Sequence, residues 1–204
     1  MIPNFLKYQG NFLYILSSTS IFTLLIFLWH INNNYLPTSD AITYMQDAYV
    51  YFNSFAEKGF IQGINDLYTV RGWRPQIYPF FIAIFLIATG GDPILAVTLL
   101  SVFSAFFLSF FLFKTLNIKL SNFYSSILTL FILLTPQIIS IYQSFFSEII
   151  YLPLSITFFY FLLKSNTFEE RNYSILASIF LALTICVRPA ESLLFVIAII
   201  PFIY

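Results

Sequence analysis

Long apolar runs alternate with short polar breaks along most of this chain. Apolar runs extend over Phe12–Trp29, Pro93–Phe113, Phe123–Ile141, Phe145–Leu163 and Tyr173–Val187, charged only at Glu148, and a last one opens at Leu193 and reaches Tyr204. A helix rises 1.5 Å per residue, so about 20 such residues cross the roughly 30 Å of hydrocarbon in a bilayer. These runs therefore predict membrane-spanning helices joined by short loops. A shorter run, Ile77–Thr89, contains Pro79 and ends in Gly90-Gly91. It is predicted to lie along the interface or to re-enter, not to span.

The polar exception is the stretch 31–76, which carries Asp40, Asp47, Glu57, Lys58, Asp66, Arg71 and Arg74. Pro37-Thr38-Ser39 ahead of Asp40 signals a helix start, where an acid is favoured by the exposed N–H groups of the first turn. Along that helix Ile42, Met45, Tyr49, Phe52 and Ala56 recur at spacings of three and four and predict an apolar stripe. The opposite face reads Asp40, Tyr44, Asp47, Tyr51, with the two aspartates about 10 Å apart along the axis. Taken alone, this pattern fits an amphipathic helix lying on a membrane.

Composition places the whole chain in a bilayer. It has 204 residues, 59% hydrophobic and 9% charged, with mean hydropathy +0.86, against about 25% charged residues in a soluble domain. Phe and Tyr, 27 and 14 in number, supply lipid-facing bulk and interfacial anchors. A net charge of zero leaves no footprint for nucleic acid. One cysteine, Cys186, and one histidine, His30, allow neither an intrachain disulfide nor a structural metal site.

Charge also orients the chain. If Ile77–Thr89 does not span, Lys7, Lys114, Lys119, Lys164 and Arg171 all fall on the cytoplasmic side, as the positive-inside bias demands. The 31–76 loop, Glu148 and Arg188 then share the extracytoplasmic side. The expected fold is an all-α integral membrane protein. It is a multi-pass helical bundle whose large extracytoplasmic first loop, residues 31–92, contains amphipathic interfacial helices. Residues 1–204 form a single transmembrane domain, expected to be the N-terminal part of a longer protein.

Four isolated charges are candidates for chemistry. Glu148 is the only charge between Lys119 and Lys164, and Arg188 follows an uncharged run that begins after Arg171. A carboxylate in lipid costs about 2.5–3.5 kcal/mol on insertion scales, so Glu148 asks for a partner. Arg188 has a local candidate in Glu191, three residues on. Arg71 and Arg74 stand where the chain returns to the membrane, suited to grip phosphate through paired N–H groups or to snorkel to headgroups.

Together these segments resemble the N-terminal half of the GT-C glycosyltransferases that use polyprenyl-phosphate sugars, the group of the protein O-mannosyltransferases and the aminoarabinose transferases of lipid A. Asp40-Ala41-Ile42-Thr43-Tyr44 with Ala48 resembles the family's acidic segment in the first outer loop. Arg74-Pro75-Gln76-Ile77-Tyr78-Pro79 is similar to its Arg-Pro-Pro-hydrophobic-Tyr-Pro approach to an interfacial helix. Ser147-Glu148 and Val187-Arg188-Pro189 resemble the acid and the basic-residue motif of later helices.

The resemblance implies inverting transfer of a sugar from a polyprenyl-phosphate donor to a hydroxyl on a glycan, lipid or protein, in the inner membrane of a bacterial cell. Asp40 would be the catalytic general base. Tyr44, Asp47, Arg71, Arg74, Tyr78, Glu148 and Arg188 would bind substrates, with Arg74 and Arg188 meeting the phosphate charge. The resemblance fixes no cofactor, and a divalent cation on Glu148 and Asp47 is a candidate, Mg, Mn or Ca by ligand type. The alternatives are a transporter or flippase of a lipid-linked sugar and a non-catalytic accessory subunit of a membrane assembly.

Overall fold

The computed structural model describes residues 4–33, 40–66, 75–166 and 168–199, and among the described residues every regular element is an α-helix. In order these are α1 (Asn4–Asn32), α2 (Asp40–Lys58), α3 (Phe60–Asp66), α4 (Ile77–Ala88) and α5 (Pro93–Leu116). They continue with α6 (Asn122–Leu133), α7 (Pro136–Gln143), α8 (Glu148–Lys164), α9 (Arg171–Val187) and α10 (Pro189–Ile199). Two described segments, Leu13–Asn32 of α1 and Pro93–Leu116, are long and apolar enough to cross a membrane. Helices α8 and α9, at 17 residues each, reach about 25 Å.

The run Phe123–Ile141 is not one helix. It divides into α6 and α7, bent by 60° from each other. Pro136 is the cause: its ring excludes the helical region for the residue before it, and Thr135 is extended with ψ 141°. The run Phe145–Leu163 likewise starts late. Phe145 adopts a positive φ of 55° and the helix begins at Glu148, which places that carboxylate in a first turn, where the helix dipole favours it.

Helix α5 is the axis of the bundle, flanked by α1, α4, α6 and α8. Phe22 and Ile26 of α1 meet Ala105, Leu108 and Leu112 in one apolar cluster. Helices α5 and α8 run the same way: Ser104 reaches the Ile149 carbonyl near the start of α8, while the Phe111 ring lies 5.5 Å from Tyr160 near its end. Helix α9 runs back along α8, with Phe161 beside Tyr173 and Arg188 beside Glu148. As a result Lys114, Lys164 and Arg171 gather at one end of the bundle. Glu148 and Arg188 lie at the other.

A proline inside α8 explains one of the polar contacts in this apolar setting. Pro153 has no N–H to offer the carbonyl four residues before it, which is that of Ile149. Ser104 Oγ of α5 donates to that carbonyl instead and also contacts Tyr142 Oη at 3.2 Å. A buried backbone carbonyl needs such a substitute.

Helices α2 and α4 lie across the Glu148 end. The α4 helix, about 18 Å long, buries Tyr78, Pro79, Ile82, Ala83 and Leu86. It closes on Gly90 and Gly91, both at positive φ, with the Gly91 N–H bonded to Leu86 O at 2.8 Å. Tyr49 of α2 donates to the Gly91 carbonyl at 2.8 Å, and Asp92 caps α5 by accepting from the Leu95 N–H. At the far end of α2, Asp66 of α3 accepts from Ser54 Oγ at 2.5 Å and from Lys58 at 3.3 Å.

The buried face of α2 differs from the expected stripe. Ala41, Met45, Asp47, Ala48, Tyr51, Ser54 and Phe55 are buried, whereas Ile42 and Ala56 are exposed. The inward face is therefore turned toward the side that carries Asp47 and Tyr51. Ala41 and Ala48 lie in that face, in one cluster with Tyr78, Ile82, Ala83 and Leu86 of α4, positions that a count of bulky apolar residues does not register.

Candidate functional site

The residues that converge at the Glu148 end come from five helices. Asp40 is the first residue of α2 and is exposed, and Tyr44, one turn or about 6 Å further along, is half-buried. The Tyr44 ring stands edge-on to that of Tyr78, with centroids 5.1 Å apart. Tyr78 is fully buried and donates its hydroxyl to the Phe145 carbonyl at 2.7 Å. Burial, with the nearby Tyr44 and Glu148, pushes the Tyr78 phenol well above its ordinary pKa. It is a neutral donor that ties α4 to the α7–α8 junction.

Arg188 occupies the break between α9 and α10. Because Pro189 follows it, Arg188 leaves the helical region, with φ −144° and ψ 88°, and its N–H closes α9 on Thr184 O at 3.0 Å. Its guanidinium donates through Nη1 to Glu148 Oε1, and its Nη2 forms an ion pair with Glu191 Oε1 at 2.7 Å. The three side chains are 31%, 28% and 43% exposed. They form a partly solvated cluster, not a sealed ion pair.

This cluster borders a cavity of about 350 Å³ lined by Tyr44, Pro75, Ser147, Arg188 and Glu191 among others. A second cavity of about 180 Å³ borders α9 one helical turn away, at Leu183 where the first borders Val187. Apart from Ser104 its lining is apolar, with Phe81 from α4, Leu100 and Phe103 from α5, Pro153 from α8 and Leu183 from α9. A chamber carrying Arg188 and Glu191 and an apolar slot between helices thus border the same helix.

Of the residues singled out in the sequence, Tyr44 and Arg188 line this chamber; Glu148 is held by Arg188, Tyr78 packs on Tyr44, and Asp40 lies one helical turn before Tyr44 on α2. Arg71 and Arg74 lie outside the described residues. Asp47 does not line the chamber. It is buried at 2% exposure on the inward face of α2, close enough to Tyr51 for its charge, after burial itself, to help raise that phenol's pKa. Tyr51 donates to Gln76 Oε1 at 2.5 Å, fastening α2 to the start of α4.

Asp47, expected to bind substrate, is thus turned into the protein instead. The face with two aspartates and two tyrosines looks solvent-facing in a pattern, yet it runs from exposed Asp40 to buried Asp47 and Tyr51. Among the described residues no three His, Cys, Asp or Glu side chains come within reach of one metal ion. Glu148 is engaged by Arg188. No step below is routed through a metal.

Two participants escaped the sequence reading. Glu191 was visible only as a local partner of Arg188, because the reach of Arg188 across to Glu148 depends on how α8 and α9 pair. The Phe145 carbonyl is a backbone group at a strained position, and no residue pattern announces it. Comparisons with protein-family models, curated proteins and solved structures found no match.

Proposed function

We propose that this chain is a multi-pass glycosyltransferase of the bacterial inner membrane, moving a sugar from a polyprenyl-phosphate carrier to an acceptor hydroxyl on the extracytoplasmic side. The observation that carries the reading is a chamber lined by Tyr44, Arg188 and Glu191, with Asp40 one turn before Tyr44 on α2, together with an apolar slot bordered by α9 one turn away. A lipid-linked phosphate has the same division, an anionic head on an isoprenoid chain. The segregation of Lys114, Lys164 and Arg171 at the opposite end supports the orientation through the positive-inside bias.

In the proposed reaction Asp40 accepts the proton of the acceptor hydroxyl while the hydroxyl oxygen attacks the anomeric carbon. The bond from that carbon to the phosphate oxygen breaks on the opposite face, inverting the configuration, and the phosphate leaves with the electron pair. Arg188 meets the charge that grows on it, since fixed donors in a partly dry site stabilise developing charge best. Arg74 is the second candidate for that task. Glu148 holds Arg188 in place, and Tyr44, stacked edge-on against the anchored Tyr78, forms the wall beside the sugar.

Transfer of radiolabelled sugar from a polyprenyl-phosphate donor, assayed in membranes containing the full-length protein, is the direct test. Failure of any such donor to serve, with the protein folded, would remove the reading. Orientation has its own test. Single cysteines at positions 40 and 148 should react with an impermeant thiol reagent in intact cells, and cysteines at 118 and 168 should not; labelling of 148 and 168 alike would break the geometry.

A further inference from the structure

The fork of Arg188 is occupied in an unusual way. A guanidinium presents two parallel N–H groups suited to a single carboxylate or phosphate, but here each arm holds a different carboxylate, Glu148 on α8 and Glu191 on α10. The cluster contains two negative charges against one positive. An incoming phosphate therefore finds no surplus positive charge at Arg188 until one carboxylate lets go.

The two carboxylates are held unequally. Glu148 opens α8, whose first turns are fixed by the bond from Ser104 to the Ile149 carbonyl. Glu191 is more exposed, at 43%, and pairs with Arg188 only through the weak three-residue spacing of a helix surface. The backbone of α10 does not depend on this pair. Phe195 stacks on Tyr151 and Phe158, with centroids 6.0 and 6.2 Å apart, and Ser192 Oγ donates to Arg188 O at 2.7 Å. The Glu191 side chain can rotate away while its helix stays in place.

We infer that Glu191 is an exchangeable arm of Arg188: a phosphate-bearing lipid displaces its carboxylate from Nη2 while Glu148 keeps Nη1. The inference rests on the reading of Arg188 as the phosphate anchor. Its consequence is selectivity. Displacing Glu191 costs binding energy, which an isoprenoid chain entering the apolar slot offsets and a free phosphate ion cannot. Glu191 thus lets the site ignore soluble phosphate and accept the lipid-linked form.

The test uses the full-length protein in phosphatidylcholine nanodiscs, with binding of polyprenyl monophosphate measured alone and against inorganic phosphate. Glu191→Gln should tighten polyprenyl monophosphate binding by about tenfold, the scale of one charge-assisted contact, and should let millimolar inorganic phosphate compete where the unaltered protein resists it. Arg188→Gln should lose both. Should the Gln variant fail to give monodisperse protein, Glu191→Asp, whose shorter side chain falls short of Nη2, should show the same gain. Unchanged or weaker binding in the Glu191 variants, with binding still lost in Arg188→Gln, overturns the exchange and leaves the anchor standing. Binding by Arg188→Gln at the unaltered level removes the anchor as well.

Discussion

Asp40→Asn should lower sugar transfer by about 10²–10⁴-fold, the usual contribution of a general base, while the protein still inserts and folds. The amide matches the carboxylate in size and can still accept a hydrogen bond from the acceptor hydroxyl. It cannot take the proton. Asp40 is exposed at the first turn of α2, where an acid contributes only a fraction of a kcal/mol through the helix dipole. A structural role would therefore appear as a small loss of stability with transfer nearly intact. The base role predicts the reverse: a fall in kcat, an unchanged affinity for the donor and an unchanged melting profile in detergent. Transfer by Asp40→Asn at the unaltered rate would eliminate Asp40 as the base.

The second large effect is on stability. Ser104→Ala should cost about 1–3 kcal/mol, the penalty for leaving a buried carbonyl without a donor, because Pro153 offers no N–H to Ile149 O and Ser104 supplies the substitute. The same change strips Tyr142 Oη of a contact at 3.2 Å. Pro153→Ala supplies the missing N–H within α8, so in that background Ser104→Ala should become cheaper by about 1 kcal/mol, within the range for residues sharing a partner. Unfolding of the four proteins in detergent measures the cycle. Strict additivity would show that the serine and the proline do not serve the same carbonyl.

Much of the helical content was legible because it follows from one-dimensional facts. The runs at Phe12–Trp29 and Pro93–Phe113 became α1 and α5, whose apolar length alone dictates a helix in a bilayer. Asp40 does open a helix, and Ile77–Thr89 yields only the short α4. Pro136 was equally visible but was passed over: hydropathy runs straight through it, while its steric effect on Thr135 divides α6 from α7. Glu148 announced its need of a partner by its isolation, and Arg188 by the same sign, though nothing in the order of residues states that the two belong to each other.

What the chain determined unaided is where hydrocarbon can surround it, where helices must start and break, and which charges stand isolated in apolar surroundings, since these depend on residues within a few positions of one another. Only the tertiary structure decided which face of α2 turns inward, that Asp47 is buried while Tyr44 borders a chamber, and that Glu148 and Arg188 meet with Glu191 as a third member. Those outcomes depend on how closely whole helices approach. The contacts between them include small buried residues such as Ala41 and Ala48 and carbonyls such as those of Phe145 and Ile149, which carry little hydrophobic signal of their own.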